Sequence, residues 1–230
     1  MKNFKLQSFT LILVAFVLGF SEFIIVGILN DIATQFSVEV STVGFLVTIF
    51  ALIYAFSTPI IASFIGQRPL KKVLIFFMTI FTLGNICTAF APTYMVLTLS
   101  RIIVALVSGS SISVAMAIGT HLAPLEKRAW LVSWLFSGFS VASVFGVPLG
   151  TWLSSIFGWT SAFYLISLIG IITLILIYLT LPGDYHQVAA KSKKLSDQLS
   201  LFSNRQIQLS SLATLFNLAG MDLRQYLGHK

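Results

Sequence analysis

Six long apolar runs, joined by short polar connectors, constrain this chain more than any other feature. They occupy residues 9–29, 42–64, 73–91, 95–119, 130–153 and 161–181. Each comes close to or exceeds the roughly 20 residues that a helix needs to cross the hydrocarbon core of a bilayer. The connectors hold the breakers and the charges, as in "GQRPLKK", "APTY" and "HLAPLEKR". Barrel strands would give shorter, alternating segments, and an open sheet edge would leave backbone groups unsatisfied in lipid. The expected fold is an all-α membrane protein with six transmembrane helices. Composition agrees, with 57% hydrophobic and 9% charged residues, against about 25% charged in a soluble domain.

The bilayer is the first expected partner. A net charge of +7 raises nucleic acid as a second. No basic helix face or aromatic-basic interleaving accompanies that charge, so none is expected. The opening "MKNFKLQSFTLILVAFVLGF" has the basic-then-apolar order of a signal peptide. Its apolar stretch continues to Leu29 without a small-residue cleavage site, so it reads as a retained first span. The single cysteine, Cys87, excludes an internal disulfide and, within an apolar run, reads as packing.

Orientation follows from the basic residues. With the N-terminus inside, the inner segments hold Lys2, Lys5, Arg68, Lys71, Lys72, Lys127, Arg128, Lys191, Lys193, Lys194 and Arg205. The three outer connectors hold no basic residue, and Asp31 and Glu39 lie in the first of them. A multi-pass protein of the cell membrane with a cytoplasmic N-terminus is expected.

The spans differ in character. The third and sixth are greasy nearly all round and are expected on the lipid-facing outside. The fourth and fifth are rich in small and polar residues, among them Ser108, Ser110, Ser111, Ser137, Ser140 and Ser143. Such residues suit close helix packing or a wet cavity. In the fifth, Gly138, Ala142, Gly146 and Gly150 recur every four residues, and Pro148 lies among them. That face serves either packing or a kinked gating surface. Tyr54 of the second span, with Pro59 about one turn on, is a candidate cavity residue or ordinary packing.

Two charges lie deep in the spans, Glu22 in the first and Arg101 in the fourth. At 1.5 Å per residue Glu22 lies about 20 Å from the inner end, hence about 10 Å from the outer face of a 30 Å core. Arg101 lies about 9 Å from that same face. Intramembrane charges pair or line water-filled cavities, so a Glu22–Arg101 pair is expected. Taken singly, Arg101 could snorkel to the outer headgroups, and Glu22 could be a structural, hydrogen-bonded acid.

Six spans, an acid in the first and an arginine in the fourth resemble the N-terminal half of a major facilitator superfamily transporter. The chain is most similar to the drug:proton antiporter branch, near its sugar, purine and multidrug efflux members. The segments that carry the resemblance are "GFSEFIIVGILNDIA", Arg101 followed by Gly109, and "GFSVASVFGVPLGT" with Gly138, Gly146, Pro148 and Gly150. Trp159 and Phe163 fit the start of the sixth span. The departures are Asn30 for a usual proline, Ala105 for a glycine and Thr160 for an arginine. Gly66 and Gln67 stand where an Asp-Arg gate latch is usual. The resemblance implies half of a major-facilitator fold, a 3+3 inverted repeat, over residues 1–182. It also implies proton-coupled efflux of a small molecule, with Glu22 exchanging the proton and Arg101 tuning its affinity.

Residues 183–206 read as a basic cytoplasmic linker, and 207–230 as an incomplete seventh segment with a polar tail. The chain is therefore expected to be a half transporter that ends early. The alternative is a non-transporting remnant, or a subunit that needs a separate C-terminal half. No HExxH, nucleophile elbow or phosphate loop appears, and His121, His186 and His229 lack ligand spacing. No enzyme activity, metal or cofactor is expected.

Overall fold

A computed structural model describes residues 2–65 and 68–183. These belong to the first of two compact units, Met1–Val188. The expected linker beyond Gly183 and the seventh segment lie outside the described residues. The helices are α1 (Lys2–Gly27), α2 (Leu29–Phe36), α3 (Val40–Ile65), α4 (Leu70–Ala89), α5 (Tyr94–Leu122), α6 (Arg128–Phe157) and α7 (Thr160–Thr180), with a 3-10 turn at Leu125–Lys127. All but α2 are long and apolar enough to span a membrane.

The first span starts and ends earlier than expected. It stops at Gly27, and α2 begins two residues later as a separate amphipathic helix. Ile32 and Ala33 are buried while Asn30, Asp31, Thr34 and Gln35 are exposed, which sets α2 along the edge of the bundle. Ser37 caps it in the left-handed conformation (φ 52°), returning its N–H to the Ala33 and Thr34 carbonyls.

The spanning helices form two layers. In the front layer α3 packs on α5, α5 meets α1, and α1 packs extensively on α6. Behind them α4 packs on α5, α7 packs on α1, and α4 and α7 pack on each other. Exchanging α1 with α5, α3 with α6 and α4 with α7 maps these principal contacts onto one another. That is the contact signature of a 3+3 repeat.

Both back helices depart from the expectation of being greasy all round. α4 buries Thr82, Asn85 and Thr88, and α7 buries Ser167, Gly170 and Thr173. Each set recurs every third residue and so keeps to one side of its helix. The opposite sides expose Phe76 and Leu83 on α4 and Leu168 and Ile175 on α7. Cys87 is exposed as well, so it does not pack inward as expected.

The basic residues of α1, the α3–α4 turn and the α5–α6 turn share one end of the bundle. There the Lys127 ammonium sits 5.7 Å from the Phe4 ring centroid. Lys71 Nζ donates to the Tyr178 carbonyl at 2.8 Å and the Leu181 carbonyl at 2.6 Å, capping α7 from the start of α4. Gln7 Nε2 donates to the Thr180 carbonyl at 3.1 Å. At the other end Tyr94 donates to the Thr42 carbonyl at 2.9 Å, and the Ser154 hydroxyl donates to the Asp31 carboxylate.

Candidate functional site

Arg101 lies on α5, which Thr93 caps by accepting from the Val96 N–H. The side chain is 1% exposed. Snorkelling, the alternative for Arg101 alone, does not occur. One guanidinium nitrogen donates to Ser21 Oγ at 3.0 Å and more weakly to Asn85 Oδ1 at 3.5 Å; the other donates to the Ser21 carbonyl at 2.8 Å. Ser21 Oγ donates to Asn85 Oδ1 at 2.9 Å, and Asn85 Nδ2 donates to the Phe81 carbonyl at 2.8 Å, which orients the amide. The Phe50 and Phe163 rings flank the guanidinium carbon at 4.6 and 5.7 Å, as cation–π partners. One cation thus touches α1, α3, α4 and α7 while standing on α5. Its Nε is buried without a protein partner among the described residues.

The Arg101 side chain reaches Ser21, the residue beside Glu22, through two hydrogen bonds. The bonding partner differs from the expectation. Arg101 grips Ser21 rather than the adjacent Glu22, and the hydrogen bonds its guanidinium donates among the described residues all go to neutral acceptors. Successive helix residues point about 100° apart, so the grip on Ser21 turns Glu22 aside. Glu22 is half-buried and interacts electrostatically with Arg101 and with the Tyr54 phenol. Among the described residues no hydrogen bond reaches its carboxylate. Glu22 thus lies within electrostatic range of both Arg101 and Tyr54, while Arg101 is fixed by hydrogen bonds to Ser21. Chemically, such an acid can exchange a proton without dismantling a hydrogen-bond network.

Gly138, Gly146 and Gly150 of α6 form a buried stripe against α1, with Ala142 between them. A Cβ on Gly138 would come 2.9 Å from the Ile12 carbonyl oxygen, and one on Gly150 would come 2.8 Å from the Ile24 carbonyl oxygen. Only glycine permits this approach of two backbones. Thr151 Oγ1 adds a 3.0 Å bond to the Gly27 carbonyl. Pro148 stands off the stripe and is exposed, as are Ser137 and Ser140. On α5, by contrast, Ser108, Ser110 and Ser111 are buried. The two uses of small polar residues are divided between the helices: packing on α5, an open face on α6.

Sequence reasoning missed Ser21, Asn85 and Phe50, and read Phe163 only as a match to the start of the sixth span, not as a ring beside Arg101. For Asn85 a signal existed, the Thr82–Asn85–Thr88 spacing. Phe50 carries none, because one ring among many apolar residues looks like any other.

The chain was compared with known proteins. Residues 11–226 match the family profile described as Major Facilitator Superfamily. An uncharacterized MFS-type transporter of Bacillus subtilis, YbcL, is 32% identical over 94% of this chain and 55% of its own length. The inner membrane transport protein YdhP of Escherichia coli is 31% identical over 90% of this chain and 52% of its own. The chain thus spans about half the length of the curated relatives it matches. Among solved structures, a bacterial homologue of the human lysosomal transporter Spinster superposes with TM-score 0.66 at 21% identity, over 80% of this chain and 44% of that one. A peptide transporter, POT, in complex with sulfate gives 0.71 at 13% identity, over 97% and 47%. At these identities the two structures speak for the fold alone.

Proposed function

The chain belongs to the major facilitator superfamily, and from that premise we propose that it forms the N-terminal half of a proton-coupled efflux transporter for small molecules, of the drug:proton antiporter branch. In this reading Glu22 takes and releases the proton, and Arg101 supplies the fixed positive field against which it does so. Tyr54 borders the same space from α3. The α1–α6 glycine stripe lets those two helices move as one body, with the exposed α6 serines facing the substrate path. A second six-helix half completes the cavity, since the two halves of such transporters enclose a site near the bilayer midplane. The protein sits in the cell membrane with its N-terminus in the cytoplasm, which accounts for the shared basic end.

One observation carries this reading: the half-buried Glu22 carboxylate has a cation in electrostatic range but no hydrogen bond among the described residues. A purely structural acid in a span would be expected to satisfy its oxygens. The test is substrate-dependent proton flux in proteoliposomes, with the chain reconstituted together with whatever second half completes it, across lipophilic drugs, sugars and purines. Saturable flux that Glu22→Gln abolishes and Glu22→Asp partly restores is expected. Flux unchanged in Glu22→Gln would sink the assignment.

A further inference from the structure

At the basic end, a cavity of about 370 Å³ opens between the end of α3 and the start of α4. Arg68 and Lys72 line it together with apolar walls, Ile61 and Ile65 from α3 and Val73, Phe76 and Phe77 from α4. We propose that this groove binds one anionic phospholipid of the adjacent leaflet, its phosphate on Arg68 and Lys72 and an acyl chain along the apolar walls.

Charge complementarity carries the choice of occupant. Both cations are exposed, and among the described residues neither side chain forms a hydrogen bond or an ion pair with protein. Neighbouring Lys71 is different, being committed to the α7 carbonyls. The described carboxylates, Glu22, Asp31, Glu39 and Glu126, all stand on other elements. Depth argues for a lipid over a free phosphate. Phe77 lies five residues beyond Lys72 in the sequence, so the apolar wall runs about 7 Å inward from that cation. Phosphate needs no such wall; an acyl chain does. A zwitterionic headgroup would bring its own cation beside Arg68 and Lys72, whereas a phosphatidylglycerol headgroup adds none.

Native mass spectrometry of the full chain in detergent tests this, with phosphatidylglycerol, chain-matched phosphatidylcholine and glycerol phosphate titrated in separate arms. One phosphatidylglycerol should be retained roughly 25-fold more tightly than phosphatidylcholine, about fivefold for each cation. Glycerol phosphate alone should show no retention. R68Q/K72Q should bring phosphatidylglycerol down to the phosphatidylcholine level, while the charge-keeping R68K/K72R retains the preference. Phe76→Gln, on an already exposed side chain, should weaken both lipids alike. Equal retention of the two lipids, retention of glycerol phosphate, a preference that survives R68Q/K72Q at unchanged helix content, or no lipid retained because protein fills the groove would each overturn the proposal.

Discussion

Arg101 bonds to the residue beside Glu22, yet the two charges do opposite jobs. The arginine is buried, hydrogen-bonded and stacked between rings; its removal would strand Ser21 and Asn85 around a void. Leaving buried acceptors unsatisfied costs about 1–3 kcal/mol each, so Arg101→Ala should lower the thermal unfolding midpoint in detergent by several degrees. Asn85→Ala, which removes one weak acceptor and the Ser21 link, should cost about 1–2 kcal/mol. Glu22→Gln should cost less than about 1 kcal/mol, because no hydrogen bond to its carboxylate exists among the described residues to be lost. The three unfolding curves, measured side by side, check this ranking. A Glu22→Gln protein as unstable as Arg101→Ala would make Glu22 a structural acid after all.

Among the elements, α6 and α1 are the most tightly coupled pair, and their contact depends on absent side chains. Gly138→Leu should separate them, since even a Cβ meets the Ile12 carbonyl. Overpacking of this kind costs about 1–3 kcal/mol or more, to be read as a lowered unfolding midpoint. Pro148→Ala should leave stability unchanged or raise it, because Pro148 is exposed and its replacement restores a backbone donor. Lys71→Gln should loosen the end of α7 by about 1–2 kcal/mol, visible as faster amide exchange at residues 178–181. How far the elements were legible depended on what their residues must avoid. All six spans could be read from the apolar runs, since runs this long cross lipid as helices rather than barrel strands, and the α6 stripe could be read from its four-residue period. Short α2 was missed because only its first residue, Leu29, belongs to the first run, and the remainder, residues 30–36, looked like a polar connector. The inward stripes of α4 and α7 were hidden by mean greasiness, which averages away three polar positions on one side. At the site, Glu22 and Arg101 announced themselves as charges in lipid. The neutral acceptors that actually hold the arginine did not.

At the scale of the six-span unit, the basic end shared by α1 and the α3–α4 and α5–α6 turns makes the proposed orientation testable. In a Cys87→Ser background, a cysteine at Glu39 should react with an impermeant maleimide from outside intact cells. One at Glu126 should react only after permeabilisation, and the reverse pattern would invert the proposed topology. A cysteine at Ser140 should label faster than one at Ser110, which is 0% exposed. The guanidinium of Arg101 also ties the fold to the order of its own synthesis. Ser21, Phe50 and Asn85 all precede Arg101 in the chain, and of its contacts described here only Phe163 follows it. Chains fold in the direction they are made. When the ribosome delivers the fourth span, the two spans bearing its hydrogen-bond acceptors and the one bearing the Phe50 ring have already emerged. A charge that would cost roughly 3 kcal/mol alone at mid-bilayer arrives to find its receptors waiting. The same arginine placed in the first span would have to enter lipid before any helix existed to receive it.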